Sequence, residues 1–246
     1  MSAVALEVDD IGRRFGGLVA LSSVTFSVAE GEVVGLIGPN GAGKSTLFEM
    51  ISGNIPPSNG RIRFFGEDIT TRPAHERRRA GLCRTFQKVR LFGSLTVEQN
   101  IAVAASQCLP PGRRVAQEVD AILEQFNLGD LRHRTSGALT LADRKRVEIA
   151  RAVAGHCRLL MLDESLSGLT HEEADRLVAE ILTLNRTRGV TVIVVEHVLS
   201  VLAAMVQRLV VLHNTTVVAE GPPKEVANNP LVVAAYLGSQ HGALKK

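Results

Sequence analysis

The sequence predicts an α/β fold with a mainly parallel central sheet, an N-terminal antiparallel β subdomain and an inserted helical subdomain. Three observations lead there. Continuous apolar runs of strand length stand at residues 33–37, 159–162 and 190–195, with helical stretches among them. Such runs suit parallel strands buried on both faces. Val24, Phe26 and Val28, and again Ile62 and Phe64, alternate with polar or small residues, which marks half-buried strands near the N-terminus. From about residue 95 to 154 the pattern turns helical. There Val115, Val119, Ile122, Leu123 and Phe126 share one face, after the breakers Pro110, Pro111 and Gly112.

The remaining elements follow from the same periodicities. Ala174, Leu177, Val178, Ile181 and Leu182 form a helical stripe, and Thr170 and Glu173 have the spacing of a capping box at its start. Asn214 and Thr215 lie between two β-rich segments and predict a hairpin. The chain of 246 residues, 45% hydrophobic and 22% charged, suits one compact unit with a subdomain. No apolar run reaches the roughly 18 residues of a membrane-spanning helix, and residues 1–10 lack the pattern of a signal peptide. A cytosolic chain is expected. A net charge of +3, one Tyr and no Trp supply neither the field nor the stacking surface for nucleic acid. Cys83, Cys108 and Cys157 have no CxxC spacing and are expected to be buried free thiols, not metal ligands.

Two segments carry chemistry. Residues 38–45 read GPNGAGKS, a match to G-x-x-x-x-G-K-[ST], between a buried strand and a segment (residues 46–51) able to continue as a helix. Glycine lets backbone N–H groups turn inward around phosphates, and a helix N-terminus adds favourable dipole. Lys44 would neutralise the β and γ phosphates, and the Ser45 hydroxyl would ligate Mg2+. The second segment is RLLMLDE at residues 158–164, an apolar strand ending in two carboxylates. Parallel sheets place ligands at that edge. Asp163 would hold Mg2+, and Glu164 would orient the attacking water and take its proton. Glu196-His197 ends another apolar run. By itself His197 is either a hydrogen-bonded structural residue or a group stabilising charge at the γ-phosphate.

In this order the segments resemble the nucleotide-binding subunits of ABC transporters, over nearly the whole chain. Residues 84–87, RTFQ, look like the family's Q-loop. The resemblance implies that Gln87 contacts Mg2+, that Phe15 stacks on adenine, and that His197 is the switch histidine. It assigns Gly38, Asn40, Gly41, Ala42, Gly43, Lys44, Ser45 and Thr46 to ATP. It also implies a nucleotide-binding core with its β subdomain at residues 1–94 and 155–246, and a helical signature subdomain at about 95–154. Residues 14–21, 81–87 and 228–238 look most like ATPase chains of branched-chain amino acid importers. Such importers pair two related but different ATPase chains with membrane permeases, and indirectly with an extracytoplasmic solute-binding protein. The implied place is peripheral, on the cytoplasmic face of the membrane. Alternatives are an ABC ATPase for another transported substrate and a non-transport ABC ATPase. The latter carry coiled-coil insertions or fused ATPase units that this chain lacks.

The pattern departs from the family at the signature. Where L-S-G-G-Q is usual, this chain has Leu139, Thr140, Leu141, Ala142 and Asp143. The resemblance places this segment against the ATP of the partner subunit. There Ala142 adds a methyl close to phosphate, and the Asp143 charge opposes binding unless it is paired. Either these changes are tolerated drift in a working site or they make the two ATP sites of a heterodimer unequal, and unequal sites are the expectation. Ser165 stands where Pro is usual, and Val198 where Asp is usual. The basic cluster at residues 75–79, HERRR, reads as a solvated helix face.

Overall fold

The computed structural model describes residues 3–109, 112–196 and 199–241. In chain order the elements are β1 (Val4–Phe15), β2 (Leu18–Ala29), β3 (Val33–Ile37), α1 (Lys44–Ile51), β4 (Asn59–Phe64), β5 (Glu67–Asp68), α2 (Ala74–Arg79), β6 (Leu82–Arg84), α3 (Val97–Cys108), α4 (Val115–Gln125), α5 (Leu141–Val153), β7 (Leu159–Asp163), α6 (His171–Arg188), β8 (Thr191–Val195), α7 (Leu199–Met205), β9 (Arg208–His213), β10 (Thr216–Gly221), α8 (Pro223–Ala227) and α9 (Pro230–His241). They fall into two compact units, residues 1–74 with 191–246, and residues 75–190.

The first unit holds the β-rich part. β1 pairs antiparallel with β2 and with β4, and β4 with β5. Val24, Phe26 and Val28 are buried, as are Ile62 and Phe64, so the alternation read from the sequence is the inward face of this sheet. β3 lies between β8 and β9, parallel to both. Every residue of β3 and β8 is buried, which is why these strands show no alternation. β9 returns antiparallel as β10 through Asn214 and Thr215, at φ +45° and +71°. A two-residue turn with both positions left-handed matches the strand twist. Arg208 pins β9 by donating to Glu32 at 2.7 and 2.9 Å. Burial pushes the Glu32 carboxyl up, but the hydrogen bonds from Arg208 and the Ala29 amide hold it below its ordinary value.

The second unit contains the parallel pair β6–β7 and helices α2 to α6. α4 buries Val119, Ile122 and Leu123. The capping box of α6 is complete: Glu173 N–H donates to the Thr170 hydroxyl at 3.3 Å, and Thr170 N–H to the Glu173 carboxylate at 2.9 Å. Ala174, Leu177 and Ile181 are buried beneath it, while Val178 and Leu182 flank them half-buried. The basic cluster differs from the sequence expectation. Arg77 is buried and Arg78 half-buried, because Arg78 donates to the Ala154 and His156 carbonyls at 2.8 and 3.1 Å. A guanidinium satisfied by backbone acceptors tolerates burial that a solvated face would not require.

Two buried polar clusters order the loops of this unit. Asn100 of α3 is fully buried. It accepts from Phe92 N–H at 2.9 Å and donates to Ser136 and to carbonyls of Phe92 and Thr96, fixing the segment that follows Gln87. Arg146 of α5 meets Glu180 of α6 at 2.8 and 3.2 Å and donates to the Phe126 carbonyl at 2.5 Å. Both partners are buried, so removing one strands the other's charge. Arg146→Met is therefore expected to cost about 3–5 kcal/mol, read as a lower midpoint of urea denaturation. Adding Glu180→Leu should restore most of the loss.

Candidate functional site

In the first unit, residues 38–45 leave β3 and enter α1 as expected. The path admits only glycine at two positions. A Cβ on Gly38, at φ +152°, would stand 2.1 Å from the Leu212 carbonyl oxygen. One on Gly43, at φ +101°, would stand 2.4 Å from a Leu21 methyl. Lys44 is buried and its ammonium curls back over the loop, donating to the Gly38 and Pro39 carbonyls at 2.6 and 3.1 Å. A cation held inside the loop, at the N-terminal end of a helix, suits an anionic ligand. Ser45 is exposed and Thr46 half-exposed at this helix start, and Ala42 is buried. Phe15, at the end of β1, is 45% exposed, with the Arg13 guanidinium 4.6 Å from its ring centre.

One element near this loop was not anticipated. α9 comes up against it, so that Pro39, Asn40, Gly41 and Ala42 share a cavity of about 370 Å³ with His213, Asn214, Ala234 and Ala235. Tyr236 makes a hydrogen bond to the Gly38 backbone, which partly offsets the upward push of burial on its hydroxyl. The sequence signal was residues 228–238, read only as a mark of family.

In the second unit, β7 ends in the acidic pair. Asp163 is buried and accepts from Arg84 at 3.2 Å, while its N–H donates to the Thr85 hydroxyl at 3.3 Å. That hydroxyl also bonds the Ser165 hydroxyl at 2.9 Å, which gives Ser165 a role that Pro could not fill. Glu164 follows at φ +49°, a left-handed conformation that is strained for a residue with a Cβ. Gln87 donates to its carboxylate at 2.8 Å, so Gln87, Asp163 and Glu164 converge, with Arg84 and Thr85 as partners that sequence reasoning quoted without assigning. Among the described residues no three His, Cys, Asp or Glu side chains cluster to hold a metal. A Mg2+ that keeps water and leans on phosphate needs only one carboxylate, and Asp163 already faces a cation. His197 and Val198 lie outside the described residues.

The signature segment has its own geometry in this unit. Leu139 is buried, Leu141 is exposed and Ala142 is half-exposed. Thr140 caps α5, accepting from Asp143 N–H at 3.1 Å and donating its hydroxyl to the Asp143 carboxylate at 2.9 Å. Asp143 also meets Arg146 at 3.3 Å. The charge that the sequence left in question is therefore paired, and the Thr140 hydroxyl is engaged by Asp143.

Comparison with known proteins agrees with this geometry. Residues 21–167 match the family model described as ABC transporter, and residues 216–242 match that of the branched-chain amino acid ATP-binding cassette transporter. The chain is 39% identical to the high-affinity branched-chain amino acid transport ATP-binding protein BraF of Pseudomonas aeruginosa, over 97% of this chain and 99% of that protein. It is 36% identical to the LivG protein of Salmonella typhimurium, likewise named for high-affinity branched-chain amino acid transport, over the same shares. Among solved structures it resembles the ADP conformation of MJ1267, an ATP-binding cassette of an ABC transporter. The TM-score is 0.86 and the identity 31%, covering 96% of this chain and 99% of that one. A phosphate loop ordered around a buried lysine, an acidic pair at a strand end and a likeness over almost the full length converge on one statement: this chain belongs to the ABC transporter family, as an ATP-binding and ATP-hydrolysing subunit.

Proposed function

We propose that the chain powers import of branched-chain or related amino acids, from the cytoplasmic face of a membrane permease. Support comes foremost from residues 216–242, which match the branched-chain amino acid family model and contain the helix that meets the phosphate loop. No helix among the described residues is long and apolar enough to cross a membrane, so the solute path belongs to partner chains. Those partners are a related but different ATPase chain, the permeases, and indirectly an extracytoplasmic binding protein. Nucleic acid is not among them.

In this reading the backbone of Gly38, Asn40, Gly41, Ala42 and Gly43, with Thr46, cradles ATP, and Phe15 stacks on adenine. Lys44 neutralises the β and γ phosphates. Ser45, Gln87 and Asp163 would hold Mg2+, which would supply charge neutralisation at the phosphates. Asp163, which accepts from Arg84 in this structure, would supply the carboxylate for that cation. Glu164 orients the attacking water and accepts its proton, and His197 stabilises charge at the γ-phosphate. Residues 95–154 form the helical subdomain that carries the signature. The segment from Gln87 to Phe92, tied down by Asn100, passes motion to the permease.

Uptake by proteoliposomes tests the assignment. The subunit would be assembled with its permeases, its second ATPase and the binding protein, and given labelled leucine, isoleucine and valine. ATP-dependent accumulation is expected, and transport confined to a solute of another class would refute it.

Leu139, Thr140, Leu141, Ala142 and Asp143 face the ATP of the partner subunit in this reading. With its hydroxyl engaged by Asp143, Thr140 serves phosphate poorly, and the partner's ATP turns over slowly. Asp143→Leu removes that acceptor and the charge. Total ATP turnover should then rise by up to roughly twofold, as a second site joins the first. Unchanged or lower turnover in a folded assembly would count against unequal sites.

A further inference from the structure

Two buried charges of α5 have no part in the chemistry described above. Lys145 and Glu148 stand three residues apart, on one face of the helix, and are 5% and 4% exposed. Burying a charged group is costly unless fixed partners meet it. The partners here lie in the two segments that converge on Glu164. The Glu148 carboxylate accepts from Arg90 N–H at 3.0 Å, in the segment that follows Gln87. The Lys145 ammonium donates to the Ser167 carbonyl at 2.5 Å and stands 3.4 Å from the Ser167 hydroxyl. Burial pushes the Glu148 carboxyl up, and the Arg90 amide with the Arg151, Lys145 and Arg90 charges works against that push.

Both segments end on Glu164. Gln87 donates to its carboxylate at 2.8 Å. Ser167 holds its carbonyl, from the backbone N–H at 3.3 Å and from the hydroxyl at 3.0 Å. Glu164 sits at φ +49°, a conformation that persists only where the surroundings impose it. One helix grips both sets of restraints: the Gln87 segment through Glu148, and the turn containing Ser167 through Lys145. Asn100 ties the Gln87 segment further along, at Phe92, so Glu148 is the tie nearer to Gln87.

We propose that Lys145 and Glu148 are positioning residues for ATP hydrolysis, holding Gln87 and Ser167 so that the Glu164 carboxylate stays aimed at the attacking water. The proposal rests on the reading of Glu164 as the general base. Each residue acts through another, Glu148 through the Gln87 segment and Lys145 through Ser167. Misplacing a catalytic group by about 1 Å can cost about 10²-fold in rate. Nucleotide affinity should be spared, because the phosphates are assigned to residues 38–46, which neither side chain holds.

The test uses the assembled transporter. Glu148→Leu removes the acceptor for Arg90 N–H, and Lys145→Met removes the donor to Ser167. Each should lower kcat for ATP by about tenfold, with KM and nucleotide affinity within about threefold of the parent. Glu148→Gln, whose amide oxygen can still accept from Arg90, should recover most of the turnover lost in Glu148→Leu. Urea denaturation midpoints are read on the same preparations, and Lys145→Met decides alone if Glu148→Leu does not assemble. The proposal is overturned if kcat stays at the parental level, if Glu148→Gln is as slow as Glu148→Leu, or if affinity falls as far as kcat. A loss of turnover that only matches the unfolded fraction also overturns it. Glu164→Gln, prepared alongside, separates the two ways of failing. If it leaves turnover intact, the general-base reading falls and takes the proposal with it. If it abolishes turnover while Lys145→Met and Glu148→Leu keep theirs, the proposal falls alone.

Discussion

Glu164→Gln is expected to lower ATP turnover of the assembled transporter by about 10²–10⁴-fold, the usual contribution of a positioned general base. The substitution is selective because of the geometry around it. The amide oxygen of Gln can still accept from Gln87, which now donates to Glu164 at 2.8 Å, and the left-handed backbone at φ +49° is equally strained for either side chain. Only the carboxylate charge and its proton affinity are lost. ATP affinity should therefore stay within a few-fold of the parent, and ATP should accumulate on the protein. The measurements are phosphate release and equilibrium nucleotide binding on the same preparation. Retained turnover would remove Glu164 from the chemistry. The matching change in the partner ATPase gives a second comparison. If the site facing Thr140 and Asp143 is slow, that change should cost far less, and equal losses would argue for equivalent sites.

Lys44→Met is expected to weaken both steps. The Met side chain keeps most of the buried stem but no ammonium, so the packing beneath the loop survives while the cation that now bonds the Gly38 and Pro39 carbonyls disappears. Electrostatic groups aimed at developing charge contribute about 10²–10³-fold to turnover, and nucleotide affinity should fall by at least about tenfold, a loss of roughly 1.4 kcal/mol. Affinity measured with a fluorescent ATP analogue checks this, with circular dichroism confirming that the fold is intact. An unchanged affinity would mean that residues 38–45 do not hold the phosphates.

The groups expected to carry the chemistry could be read from the chain because motif and element are local. GPNGAGKS stands between β3 and α1, and the run before Asp163 is too apolar and too short for anything but a buried strand. The capping box of α6 and the hairpin at Asn214 were readable for the same reason. Cap and turn chemistry act within four residues. What escaped were pairings across long separations. Arg84 meets Asp163 from 79 residues away and Thr85 meets Ser165 from 80. Neither pairing leaves a periodic trace. The basic cluster at residues 75–79 misled because charge suggests solvent, whereas the carbonyls that receive Arg78 belong to Ala154 and His156. His197 is outside the described residues, so its role rests on the resemblance.

Sequence alone determined the α/β class, the phosphate loop and the acidic strand end, since each depends on residue type at fixed short spacing. The tertiary structure decided which charges are paired. It put Arg146 against Asp143, so the altered signature carries a compensated carboxylate, and it brought Tyr236 to the Gly38 backbone. Both outcomes depend on side chains from separate elements arriving at one place. That is a matter of packing, which periodicity along the chain does not encode.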